Sequence, residues 1–170
     1  MQPTRGSHEE HGFSLLEVLV ALALITIVMA SLSQLFAVAT ASDIAARDRT
    51  MAALLAEEKL EELRELTFAF DRQGAPMTDL TTDTARDLMA DGGTGLTGGG
   101  SLDRTVAGYS DDIDSFGRRT DASRAAFVRR WSIQPLASDP ANTIAIQVMV
   151  LKRGGATRVR LVSARTRKPR

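Results

Sequence analysis

Three hydrophobic patterns follow one another along this chain. From Phe13 to Ser42 the residues are apolar on every side of a helix, with no Gly and no Pro, and Glu17 is the only ionisable side chain. About 20 such residues cross a bilayer as a helix, so this run is long enough to span. From 43 to 66 the pattern takes a helical period. Ile44, Ala52, Leu55, Ala56, Leu60, Leu63 and Leu66 share one broad face, which predicts an amphipathic helix continuing from the first. Glu57, Glu61 and Glu65 line the opposite face at i, i+4 spacing, where like charges disfavour the helix slightly. Packing of the leucine face must therefore hold it. The bland reading of the acidic ridge is a solvated face, and the other is docking onto a basic neighbour.

The third pattern has period two. Phe127, Trp131 and Ile133 fall on one face, then Ile144, Ile146, Val148 and Val150, then Val159 and Leu161 alternating with Arg158 and Arg160. Asp139-Pro140 and Gly154-Gly155 punctuate these runs, the latter as a two-glycine hairpin signal. Three antiparallel strands in a meander are predicted, with an apolar face for the leucine-rich helix to cover. Phe127 and Trp131 are assigned to the core. The tail from Ser163 onward reads as a frayed end.

Between helix and meander, residues 67–125 are polar, with six glycines from Gly92 to Gly100. This segment reads as an extended surface loop with a short helix near Thr82–Met89. Within it, Asp111, Asp112 and Asp114 offer oxygen ligands at close spacing, a weak calcium candidate. The run lacks a closing glutamate, and an acidic turn is the plainer reading.

Composition narrows the chemistry. There is no cysteine, so disulfides and thiolate metal sites are excluded. The only two histidines, His8 and His11, precede the apolar run, which excludes a histidine-based catalytic or zinc site in the body. No phosphate-binding glycine loop, nucleophile elbow or cofactor motif occurs, and a non-enzyme without cofactor is expected. The 21 basic and 21 acidic residues cancel, but unevenly. Acids crowd 57–91, and after Asp139 all charges are basic, so the chain is expected to be electrically polarised along its length.

Glu17 admits three settings. A secretory signal peptide would use Ala39-Thr40-Ala41 for cleavage, but the apolar run is too long for one. A plain signal anchor explains the length and leaves Glu17 as an edge residue reaching water. The third rests on the words "GFSLLEVLVALALITIVMA": a glycine, a phenylalanine, a glutamate four residues later and an unbroken apolar helix. This resembles the class III signal of type IV prepilins and type II secretion pseudopilins.

The resemblance implies an α+β, pilin-like fold, with a long N-terminal helix packed on a small antiparallel sheet. It implies a leader at 1–12, a membrane and filament-core helix at 13–42, its amphipathic continuation at 43–66, a variable region at 67–125 and a β-meander at 126–170. It implies cleavage by prepilin peptidase after Gly12, methylation of the new N-terminus at Phe13, and a role for Glu17 in assembly, paired with the amine of a neighbour's Phe13. The implied partners are the peptidase, other pilin or pseudopilin subunits, the inner-membrane assembly platform and inner-membrane lipid. The C-terminal domain would be periplasmic before assembly into a pilus or pseudopilus. "LAEEKLEELR" is similar to PilV-type minor pilins. An uncut single-span scaffold and a DNA-uptake pilin remain as other readings, the second because Arg158, Arg160 and the basic tail could meet DNA or anionic lipid.

Overall fold

The 51 residues of α1, Leu15–Glu65, contain no helix breaker and run as one unbroken α-helix. A computed structural model describes residues 14–168, apart from the side chains of 87–91. The chain divides into two units, Met1–Ile44 and Ala45–Arg170, with the division falling inside α1.

In the second unit, α1 buries Ala52, Leu55, Ala56, Lys59 and Leu63, the i, i+3, i+4, i+7 positions of one face. Two of these are alanines, which let the backbone approach the sheet closely. Glu57, Glu61 and Glu65 are exposed, as the period requires. Ile44, expected on the packed face, is 53% exposed and lies in the other unit.

The face of α1 packs on a sheet whose backbone is the predicted meander: β7 (Phe127–Pro135), β8 (Thr143–Lys152) and β9 (Arg158–Thr166). β-branched and aromatic residues at alternate positions supply its inner layer. Phe127, Trp131, Ile133, Ile146, Val148 and Val150 are all buried in one core with Leu55 and Leu63. The register pairs Trp131 with Val148, and Val148 with Leu161. The β8–β9 hairpin closes around Arg153–Ala156, with the Lys152 N–H donating to Thr157 O. The loop thus has four residues rather than the two suggested by Gly154-Gly155.

The intervening segment differs most from expectation. It carries β1 (Phe68–Phe70), β2 (Pro76–Thr78), β3 (Thr82–Asp83), β4 (Asp87–Asp91), β5 (Gly99–Gly100) and β6 (Ser110–Ile113). No helix forms at 82–89. The Asp83 carboxylate accepts the N–H groups of Ala85 and Arg86, closing a turn between β3 and β4 instead. β5 and β6 share the open edge of β7, pairing with Ser132–Ile133 and with Phe127–Arg130 respectively. Four of the glycines at 92–100, Gly93, Gly95, Gly99 and Gly100, allow a close approach. Gly100 has φ +82°, and a Cβ on it would stand 2.2 Å from Trp131 O and 2.9 Å from the Tyr109 ring. Tyr109 lies across this pair and donates its hydroxyl to Thr97 O at 2.9 Å. Leu96, Tyr109 and Ile113 join the core.

The tail is docked as far as residue 168. Arg165 donates to the carbonyls of Leu63 (3.2 Å) and Leu66 (2.6 Å) at the C-terminal end of α1, where unpaired carbonyls need donors. Arg167 stands over the Phe68 ring, and Lys168 O accepts the Phe70 N–H.

Candidate assembly segment and buried ion network

In the first unit, α1 presents leucine, isoleucine and valine to every side. Leu15, Leu22, Ile27, Met29 and Phe36 are all more than half exposed. The apolar stretch 15–42 rises about 42 Å as a helix, more than the ~30 Å hydrocarbon core of a bilayer. Four of its hydroxyls cost little in such a setting, because they turn back on their own helix. Ser31 donates to Ile27 O, Ser33 to Met29 O and Thr40 to Phe36 O, each at 2.9 Å, and Thr26 donates to Leu22 O.

Glu17 is the exception. It sits in the first turn of α1, exposed, with Ser14 O accepting the first helical N–H from Val18. The positive end of the helix dipole stabilises a carboxylate there by about 0.3–1 kcal/mol. That is too little to hold an ion in hydrocarbon, where an unpaired charge costs several kcal/mol. Glu17 therefore has to reach water or meet a cation. Gly12 and Phe13, the expected cleavage pair, lie outside the described residues.

Residues 8–33 match the family model described as the prokaryotic N-terminal methylation motif. The match covers the Gly12–Phe13 step, Glu17 and the first part of the apolar helix. It supports a type IV pilin- or pseudopilin-like protein. The methylation motif and the length of the exposed apolar helix fit an inner-membrane anchor. No curated protein and no solved structure matches the chain significantly.

The three aspartates considered for calcium are separated by the fold and each meets arginine. Asp111 is buried on β6 and takes a two-point contact from Arg129, Nε to Oδ1 at 2.9 Å and Nη2 to Oδ2 at 2.7 Å. Asp112 receives Arg153 at 2.8 Å. Asp114 accepts the backbone N–H groups of Arg118 and Phe116, which chiefly hold its carboxyl below the usual range, and also pairs with the Arg118 guanidinium. No cluster of three metal-ligating side chains exists among the described residues.

What sequence reasoning missed is the network around Asp111. Lys59 and Arg129 are buried, at 0% and 1% exposure. Lys59 donates to Glu62 at 2.8 Å and to Thr84 O, and lies 4.1 Å from the centre of the Trp131 ring. Arg129 also donates to Leu55 O at 3.1 Å. Arg119 bridges Glu62 (2.9 Å) and Asp111 (3.3 Å). Burial pushes the Lys59 ammonium down to about 8, against the opposing pull of Asp111 and Glu62. A signal was present: Lys59 occupies the helical position between Leu55 and Leu63, and Arg129 the strand position between Phe127 and Trp131. Both spacings point inward, and a charge there demands a partner.

Proposed function

We propose that this chain is a minor pilin of a type IV pilus. It is cut by prepilin peptidase after Gly12, methylated on Phe13, and passed by the inner-membrane assembly platform into the fibre or its priming complex. The observation that carries the proposal is the methylation motif lying over a helix that is apolar on all sides except at Glu17. A filament core of such helices solvates their surfaces. Cleavage supplies the missing cation, because the new amine of a neighbour's Phe13 meets Glu17. Breaking a buried pair costs more than forming it gains, so the pair fixes register between subunits. The similarity of "LAEEKLEELR" to PilV-type subunits supports the pilus over the type II secretion pseudopilus, which shares the same signal.

The test is mass spectrometry of the membrane-extracted protein. The mature chain should begin at N-methylated Phe13, and Gly12→Ala should leave precursor in excess. A wild-type chain beginning at Ser42, or a normally processed Gly12→Ala protein, would overturn the reading. Sheared fibres from cells carrying only one of the two machineries then separate pilus from pseudopilus.

A further inference from the structure

The outer face of the sheet carries a surplus of hydrogen-bond donors. This face carries Arg130, Ser132 and Gln134 on β7, Gln147 and Met149 on β8, and Arg158 and Arg160 on β9, among apolar neighbours that include Val128, Leu151 and Val162. The segment 100–103 rises beside β7 and leaves a groove of about 430 Å³ between itself and β9. Arg158 and Arg160 rim the groove, and both are exposed. They are two residues apart on one strand, so their Cα atoms stand about 6.6–6.8 Å apart on the same face. Arg160 donates to Gln147 Oε1 at 2.5 Å, which leaves the Gln147 amide as a donor. Arg158 meets no carboxylate among the described residues. Among the described residues, the one carboxylate lining the groove is Asp103.

Two further donors lie beneath this rim. Ser132 is 4% exposed, lines the groove, and its hydroxyl has no partner. The Nε of Arg130, one row along the same face, is also buried without a partner, while its Nη1 is spent on Leu102 O and Asp103 O. A buried polar group left unpaired costs about 1–3 kcal/mol. One such group in the groove, the Ser132 hydroxyl, and one on the same face outside its lining, the Arg130 Nε, leave this face short of acceptors.

We infer that this groove binds an oxyanion, a phosphate or carboxylate group, held between the Arg158 and Arg160 guanidinium groups with the Ser132 hydroxyl donating from below. Guanidinium suits either anion, since its fork donates two parallel N–H groups.

The test uses the full chain in neutral detergent, titrated with inorganic phosphate at constant ionic strength and followed by calorimetry and the Ser132 and Arg160 amide resonances. Saturable binding is expected. Arg160→Gln should weaken it about tenfold or more, the loss of a charge-assisted hydrogen bond. Ser132→Ala should weaken it about fivefold. Arg124→Gln, at an exposed pair outside the groove's lining, should leave it unchanged. Removing an unpartnered hydroxyl should not unfold the protein, so Ser132→Ala is a readable variant even where arginine variants perturb the surface. Competition by acetate at similar concentration would assign the site to carboxylates, and its failure to phosphates. Non-saturable binding, or equal binding by wild type, Ser132→Ala and Arg160→Gln, would overturn the inference.

Discussion

Asp111→Ala should be among the most damaging single substitutions in the second unit. The Asp111 side chain is 4% exposed; it is the anion nearest the buried Arg129, at 2.7 Å, and lies 3.9 Å from the buried Lys59, whose closer partner is Glu62. Removing it leaves Arg129 with Leu55 O and a 3.4 Å contact to the half-exposed Glu58. Lys59 keeps Glu62 and Thr84 O. Breaking a buried pair costs about 3–5 kcal/mol, whereas exposed pairs are worth about 0–1 kcal/mol. The exposed Arg124–Asp121 pair, with side chains 74% and 81% exposed, is the control: Asp121→Ala should change little. The assay is urea unfolding of a fragment covering residues 43–170. A 3 kcal/mol loss moves the midpoint by roughly 1–3 M at ordinary slopes for small domains. The double variant Asp111→Leu/Arg129→Met should recover part of the loss, because removing both ions also removes the uncompensated charge. A cost under about 1 kcal/mol for Asp111→Ala, or strict additivity in the double variant, would refute the claim that this network holds β6 and β7 to the helix.

Three further outcomes are expected. Burial lowers the Lys59 pKa from an ordinary 10.5 to about 8, with Asp111 and Glu62 favouring its charge and Arg129 adding to the lowering. Between those values the unfolded chain binds the extra proton, so stability should rise with pH, by at most about 3 kcal/mol. Burial raises the Tyr109 pKa above 10.0, and its contribution opposes the rise at higher pH. Urea midpoints from pH 7.5 to 10 should therefore climb in the wild type and stay flat in Lys59→Met. Arg165→Ala leaves the carbonyls of Leu63 and Leu66 without their donor, and should cost about 1–2 kcal/mol. The loss should be concentrated in faster hydrogen exchange at the last turn of α1. Glu17→Val should be inserted and cut normally but be depleted from sheared fibres. An unmatched buried amine costs about 3–5 kcal/mol, or roughly two to four decades in an assembly constant. Normal incorporation would make Glu17 an edge residue.

The parts of this protein that were legible in the sequence are those whose cause is local. The alternation of Phe127–Ile133 and Ile144–Val150 is fixed by the pleat of a half-buried strand, and the buried face of α1 by its period. The methylation motif is equally local, since a peptidase reads residues around the cut rather than a fold. The region 67–125 was illegible because its strands are short and depend on distant partners. Gly99-Gly100 is a strand only because β7 offers an edge at Ser132–Ile133 and Tyr109 has room to lie across it. The tail read as frayed because the acceptors that fix it, the carbonyls of Leu63 and Leu66, are about a hundred residues away in sequence.

The uneven charge along the chain was visible from the start, and its meaning changes once the fold is known. The acids of the helix and the basic residues of the C-terminal third do not face outward as opposite poles. A few pair with each other within the second unit. Asp48 pairs with Lys152, and Glu58 with Arg129. The end of the helix receives Arg165. Such pairing draws on only a few charges of each segment among the described residues. It leaves out Arg158 and Arg160, which point away from the helix and find no carboxylate among the described residues. A charge that folding does not use, next to buried donors that folding does not satisfy, is where binding an outside anion would contribute most.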